Sequence, residues 1–139
     1  MANNFQILST EIVVAEVIAL AASPRAGGLV SFVGTVRQQT QGKSVIALEY
    51  EAYAEMAERK MAEIAEQARQ KWPLEGAAIH HRVGRLLLGE IAVALAVACP
   101  HRAEAFAASQ FLIDTLKAVV PIWKKEIFAD GEVWVSAHA

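Results

Sequence analysis

The spacing of apolar and polar residues changes period several times along the chain, and each change predicts an element. Phe5 to Leu8 reads as a short strand. Ser9-Thr10-Glu11 offers capping hydroxyls and an early carboxylate before an alanine-rich helix running to about Ala22, and Ser23 to Gly28 forms the loop that ends it. Leu29 to Gln38 alternates with period two and is rich in β-branched residues, which predicts a strand. Val30, Phe32, Gly34 and Val36 share one face of it, and Leu29, Ser31, Val33, Thr35 and Arg37 share the other, wetter one.

Gln39 to Lys43 is a polar turn, and Val45 to Tyr53 returns as a strand with Ile46, Leu48 and Tyr50 on its apolar side, so the two strands are expected to form a hairpin. Ala54 to Trp72 carries Met56, Lys60 and Ile64 at helical spacing and is stopped by Pro73. Ala77 to Leu88 and Ile91 to Cys99 read as strands joined at Gly89-Glu90. The second has Ile91, Val93, Leu95, Val97 and Cys99 on one side and only alanines on the other, a face that admits close approach of another element. Pro100 precedes a helix from about His101 to Val119, which Pro121 ends, and Ile122 to Phe128 with Glu132 to Ser136 forms a closing hairpin around Asp130-Gly131. Hairpin-length links between strands point to an antiparallel or mixed sheet with helices packed on it, an α+β class.

Composition narrows the class of function. The 139 residues are 55% hydrophobic, enough for one core and too few for two ordinary domains, so residues 1–139 are expected to form a single domain. A formal net charge of -2 gives no reason to expect a nucleic-acid partner, and any anion site must be local. Apolar runs such as Ile12 to Ala22 fall short of the roughly 20 residues a spanning helix needs, so no membrane association is expected. A lone cysteine, Cys99, and an N-terminus without a basic-then-apolar leader fit a cytoplasmic protein.

The helix beginning at His101-Arg102 is the most informative element, because two basic side chains sit where the helix dipole already presents positive charge and unpaired N–H groups. A phosphate or other anion bound there relieves the conflict, although Glu104 and solvent offer a structural alternative. Lys117 lies near the other end, where a cation is ordinary; Phe106, Gln110 and Ile113 share its side, so its stem is expected to cross apolar surface. His101 and Lys117 are about 24 Å apart along a helix, so a pocket using both requires a second copy of the chain, a homodimer with composite sites. In the strand after Pro121, Lys124 and Glu126 point one way and Lys125 the other. Arg37, Lys117 and Lys124 make a basic trio suited to a phosphate and an oxyanion, while Arg37 is also placed to pair with Glu49 or Glu51. His80 and His81 alternate across a strand and cannot both reach one metal; no metal or cofactor motif is present, and Cys99 reads as a packing residue.

Several of these segments together resemble the molybdopterin synthase large-subunit family. They are Phe32-Val33-Gly34-Thr35-Val36-Arg37, Leu48-Glu49-Tyr50-Glu51-Ala52-Tyr53, His81-Arg82-Val83-Gly84, His101-Arg102, Asp114-Thr115-Leu116-Lys117 and Pro121-Ile122-Trp123-Lys124-Lys125-Glu126. The resemblance implies an α/β hammerhead fold and a sulfurtransferase that moves two sulfurs onto cyclic pyranopterin monophosphate, opening the cyclic phosphate and leaving a dithiolene. The donor it implies is the C-terminal thiocarboxylate of a small ubiquitin-like subunit, docked on each large subunit of a homodimer to make a heterotetramer. By position, Thr35, Val36, Arg37, His101, Arg102, Lys117, Lys124, Lys125 and Glu126 would line the substrate pocket, with His101 and Arg102 from the other large subunit. Arg37, His101 and Arg102 would hold the phosphate, Lys117 would lie nearest the donor's carbonyl, and Lys124 would be the second acid/base or electrostatic group. Where some relatives carry a tail arginine, four residues after the position of Trp134, this chain has His138. The competing readings are a non-catalytic anion- or pterin-binding module of the same fold, and a generic acyl- or phosphoryl-transfer enzyme, for which no nucleophile with its base is visible.

Overall fold

The computed structural model describes residues 3–138. Its elements follow the order β1 (Phe5–Leu8), α1 (Val14–Ala21), β2 (Gly28–Thr35), β3 (Gln39–Thr40), β4 (Lys43–Ala52), α2 (Ala54–Lys71), β5 (Gly76–Arg82), β6 (Gly84–Leu87), β7 (Ile91–Cys99), α3 (Arg102–Val119), β8 (Ile122–Phe128) and β9 (Val133–Ser136). One sheet has the order β1-β5-β7-β2, with β1 parallel to β5 and the other neighbours antiparallel. The second has the order β3-β4-β8-β9, with β6 also paired to β4. No helix among the described residues is long and apolar enough to cross a membrane.

The uncharged strand β7 organises the first sheet. Its branched face, Val93, Leu95, Val97 and Cys99, joins the main core beneath α2 and α3. Its alanine face, Ala94 and Ala96, lies with Ala78 under Val17 and Ala21 of α1. Small side chains let that helix approach the sheet closely, as expected from the alternation. The closest point is Gly76, where an added Cβ would lie 2.1 Å from the Ala21 carbonyl oxygen.

Several boundaries and pairings differ from the sequence reading. The first helix starts later, with Val13 at its N-cap and no side-chain cap, because Ile12 is drawn into the alanine-face core and keeps the preceding chain extended. On α2 the buried face is Ala57, Met61, Ile64, Ala65 and Ala68, leaving Met56 exposed. The expected hairpin between the second and third predicted strands does not form: β2 pairs with β7, and β4 lies in the other sheet. Gly34 permits that pairing, since a Cβ there would lie 2.8 Å from a Val93 methyl. Only the two-residue β3 turns back on β4, through Gln41 and Gly42 with positive φ. The predicted strand Ala77 to Leu88 breaks before Gly84, whose φ is +97, sending β5 to β7 and β6 to β4. Ile46 is exposed rather than inward because the β4–β8 register shifts between Val45 and Ala47. The closing hairpin forms as β8–β9.

Candidate active site

Helix α3 lies along β2, and its two ends carry different chemistry. At its start, Gly28 meets the backbone of Arg102 so closely that a Cβ would lie 3.0 Å from the Arg102 Cα, and the Gly27 N–H donates to the Pro100 carbonyl at 3.2 Å. This contact holds the β2 start against His101, the N-cap, and leaves both His101 and Arg102 exposed. Glu104 stands in the first turn, but its buried Oε1 has no hydrogen-bond partner among the described residues.

At the far end, Lys117 comes under the charges of Lys124 on β8 and of Arg37 in the link after β2. Its pKa is lowered, first by loss of hydration and then by the charges of Lys124 and Arg37. The proposed trio therefore converges electrostatically, although its members come from three separated stretches of chain. Lys124 is half-buried and paired in register with Tyr50, while Glu126 is buried opposite Leu48. The Glu126 carboxylate accepts a hydrogen bond from the Thr40 hydroxyl at 2.7 Å. Lys125 faces the other side, as alternation requires, where Glu49 lies 3.7 Å from its ammonium and 3.2 Å from Arg85.

Thr35 and Arg37 are exposed, whereas Val36 between them is a core residue. Its backbone is committed as well: the N–H donates to the Glu90 carbonyl at 3.0 Å and its carbonyl accepts from Gly89 at 2.8 Å. Val36 thus anchors the strand end and directs its neighbours outward. The alternative pairing of Arg37 with Glu49 is not made, since Glu49 pairs with Lys125 and Arg85. His101 and Arg102 stay at the opposite end of α3 from Lys117, so one chain does not bring all the named residues together. His138, where some relatives are expected to carry arginine, is exposed.

Two buried aromatic groups, Tyr50 and His81, border the strand that carries Lys124 and the helix that carries Lys117. Tyr50 is buried, and burial together with the nearby Glu126 charge pushes its phenol up to about 12. The edge of its ring meets His81, with centroids 4.9 Å apart and planes at 74°. Burial drives the His81 imidazole down to about 4, partly countered by its bond to the Arg82 carbonyl, with the Lys117 charge lowering it further. Thr40 carried no functional signal in the sequence, and Tyr50 and His81 stood there only within segments that resemble the family; their contacts across the fold place them near the lysines' elements. Cys99, the single cysteine, is buried in the first sheet, away from these cations.

A family model described as MoaE protein matches residues 7–119. The chain belongs to the MoaE family. Within that family it is 46% identical over 132 residues to a molybdopterin synthase catalytic subunit of Halalkalibacterium halodurans, covering 95% of this chain and 85% of that protein. A molybdopterin synthase catalytic subunit of Nostoc sp. is 48% identical over 139 residues, covering 99% of this chain and 84% of the relative. The crystal structure of molybdopterin synthase from Staphylococcus aureus superimposes with a TM-score of 0.91 at 40% identity, covering 97% of this chain and 98% of that one. The α+β hammerhead class expected of a MoaE protein holds for this chain.

Proposed function

We propose that this chain, as a single domain of residues 1–139, is the catalytic subunit of a cytoplasmic molybdopterin synthase. It takes sulfur from the C-terminal thiocarboxylate of a small ubiquitin-like subunit and adds two sulfurs to cyclic pyranopterin monophosphate. The observation that carries this reading is the mutual electrostatic influence of Lys117, Lys124 and Arg37, with the only cysteine buried elsewhere. Such a site binds an anionic substrate and stabilises an oxyanion, while the nucleophilic sulfur arrives on the donor. Lys117 serves the donor carbonyl, Lys124 is the second acid/base or electrostatic group, and Arg37 binds phosphate. Thr35 and the carboxylate of Glu126 border the pocket; Val36 supports it from the core and Lys125 from the opposite face.

His101 and Arg102 complete the phosphate site from a second copy. In support, β2 is the edge of its sheet and exposes Leu29, Phe32 and Val33. Antiparallel pairing of two such edges sets the Gly28 end of one copy beside the Thr35 end of the other. Because α3 runs alongside β2, that pairing delivers one copy's His101 and Arg102 to its partner's Arg37 and Lys117. The resulting dimer carries a small subunit on each protomer.

The test is turnover with purified chain, thiocarboxylated small subunit and cyclic pyranopterin monophosphate. Molybdopterin is expected from the native protein, and Lys117→Ala is expected to lower turnover at least ~100-fold while the fold persists. Substrate binding without turnover by the native chain would replace this reading with that of a binding module.

A further inference from the structure

Thr40 belongs to a strand of two residues, and the turn that follows sets where its side chain goes. Gln41 (φ +50) and Gly42 (φ +80) both have positive φ, the conformation of a two-residue hairpin turn, so Thr40 and Lys43 pair directly across it. Residues paired in this way share a face of the sheet. Lys43 shows which face: its ammonium lies 5.2 Å from the centre of the Phe128 ring and 5.3 Å from that of Trp134. Phe128 follows Lys124 and Glu126 at period two along β8, so Thr40 is turned to the face that bears both. There its hydroxyl donates to the Glu126 carboxylate at 2.7 Å, across 86 residues of chain.

Arg37 lies at the base of the same hairpin, between two backbone anchors. On one side, Val36 donates to the Glu90 carbonyl at 3.0 Å and accepts from the Gly89 N–H at 2.8 Å. On the other, the Val45 N–H donates to the Gln38 carbonyl at 2.9 Å and closes the hairpin. The second anchor is the weaker one, because β3 ends its sheet and pairs with β4 through two residues. A ribbon that short is marginal by its backbone bonds alone. The Thr40 side chain supplies the hold that the ladder lacks, and it does so on a carboxylate that is buried from competing water.

We propose that Thr40 is a positioning residue for Arg37: its bond to Glu126 latches the hairpin of residues 38–45 onto β8 and so fixes where Arg37 stands relative to Lys124. Glu126 then serves the hairpin as well as bordering the pocket. The latch passes no proton to the reacting atoms, so it acts on phosphate binding rather than on the chemical step. For that kinetic part the inference rests on the sulfur-transfer reading, in which Arg37 binds phosphate; the hold on the hairpin does not.

The experiment follows the Val45 amide by hydrogen exchange, and the pterin KM by turnover, in native protein, Thr40→Val and Thr40→Ser. Valine keeps the branched shape without the donor, whereas serine keeps the donor. Thr40→Val is expected to speed Val45 exchange about tenfold, since a bond to a charged group is lost from the closed hairpin. KM for cyclic pyranopterin monophosphate should rise roughly fivefold with kcat near native, and Thr40→Ser should restore both readouts. In an Arg37→Met background the same valine substitution should leave KM unchanged, because no guanidinium remains to be misplaced. Should Thr40→Val not fold, Thr40→Ala, which also lacks the donor, takes its place. Native exchange of Val45 in the folded valine variant would overturn the latch, and an equal rise in KM with Arg37→Met would overturn its link to Arg37. An inactive native enzyme would count against the sulfur-transfer reading instead, leaving Val45 exchange to decide on the latch.

Discussion

The Thr40 hydroxyl donates to the buried Glu126 carboxylate at 2.7 Å, tying a two-residue strand beside a turn to the strand that also bears Lys124. A buried carboxylate needs such donors, and losing one leaves it poorly solvated. Thr40→Val keeps the shape and removes the donor. It is expected to cost about 1–2 kcal/mol in urea unfolding, with Thr40→Ser close to native. Equal stability of the valine and serine variants would show that this bond is replaced by solvent.

Lys117 ionises below the ordinary lysine value of 10.5, through lost hydration and the charges of Lys124 and Arg37. Removing a like charge favours the ammonium, so Lys124→Met is expected to raise the Lys117 pKa toward the ordinary value, as read by NMR titration. Lys117→Arg retains the charge but cannot release a proton, and turnover should fall roughly 100-fold. Full activity of the arginine variant would restrict Lys117 to a purely electrostatic role.

The separation of Lys117 from His101 and Arg102 along α3 predicts complementation between inactive variants. Lys117→Ala and Arg102→Ala, each nearly inactive alone, are expected to recover about a quarter of native turnover when equal amounts are unfolded together and refolded as random dimers, because half the dimers then hold one intact site of two. No recovery in proven mixed dimers would mean that each site is built from one chain.

His81 links pH to folding stability. Its folded pKa of about 4 lies below the ordinary imidazole value of 6.5, so between these values the unfolded chain binds a proton that the native protein does not. Stability therefore falls as pH drops through this window, by about 3 kcal/mol for a shift of this size. The melting temperature of His81→Phe is expected to depend less steeply on pH between 6.5 and 4 than that of the native protein. Parallel curves would assign the acid sensitivity to other groups.

Much of the architecture was legible in residue order. Period-two alternation marked β7 with its alanine face, prolines bracketed α3, and Asp130-Gly131 marked the last hairpin, because these signals depend on backbone geometry over a few residues. The same alternation separated Lys125 from Lys124 and Glu126, and the basic start of α3 marked an anion site to be tested. Tertiary structure alone decided partners and environments. Whether β2 lay beside β4 or β7 depended on a close fit between Gly34 and Val93, residues far apart in the chain. The break at Gly84 divided one apparent strand between two sheets, so its apolar pattern could not reveal the division. Convergence of Arg37, Lys117 and Lys124, the bond from Thr40 to Glu126 and the burial of His81 against Tyr50 likewise arise between sheets and helices. Local periodicity specifies which way a side chain points from its own element; hydration and charge depend on what the rest of the fold places opposite it.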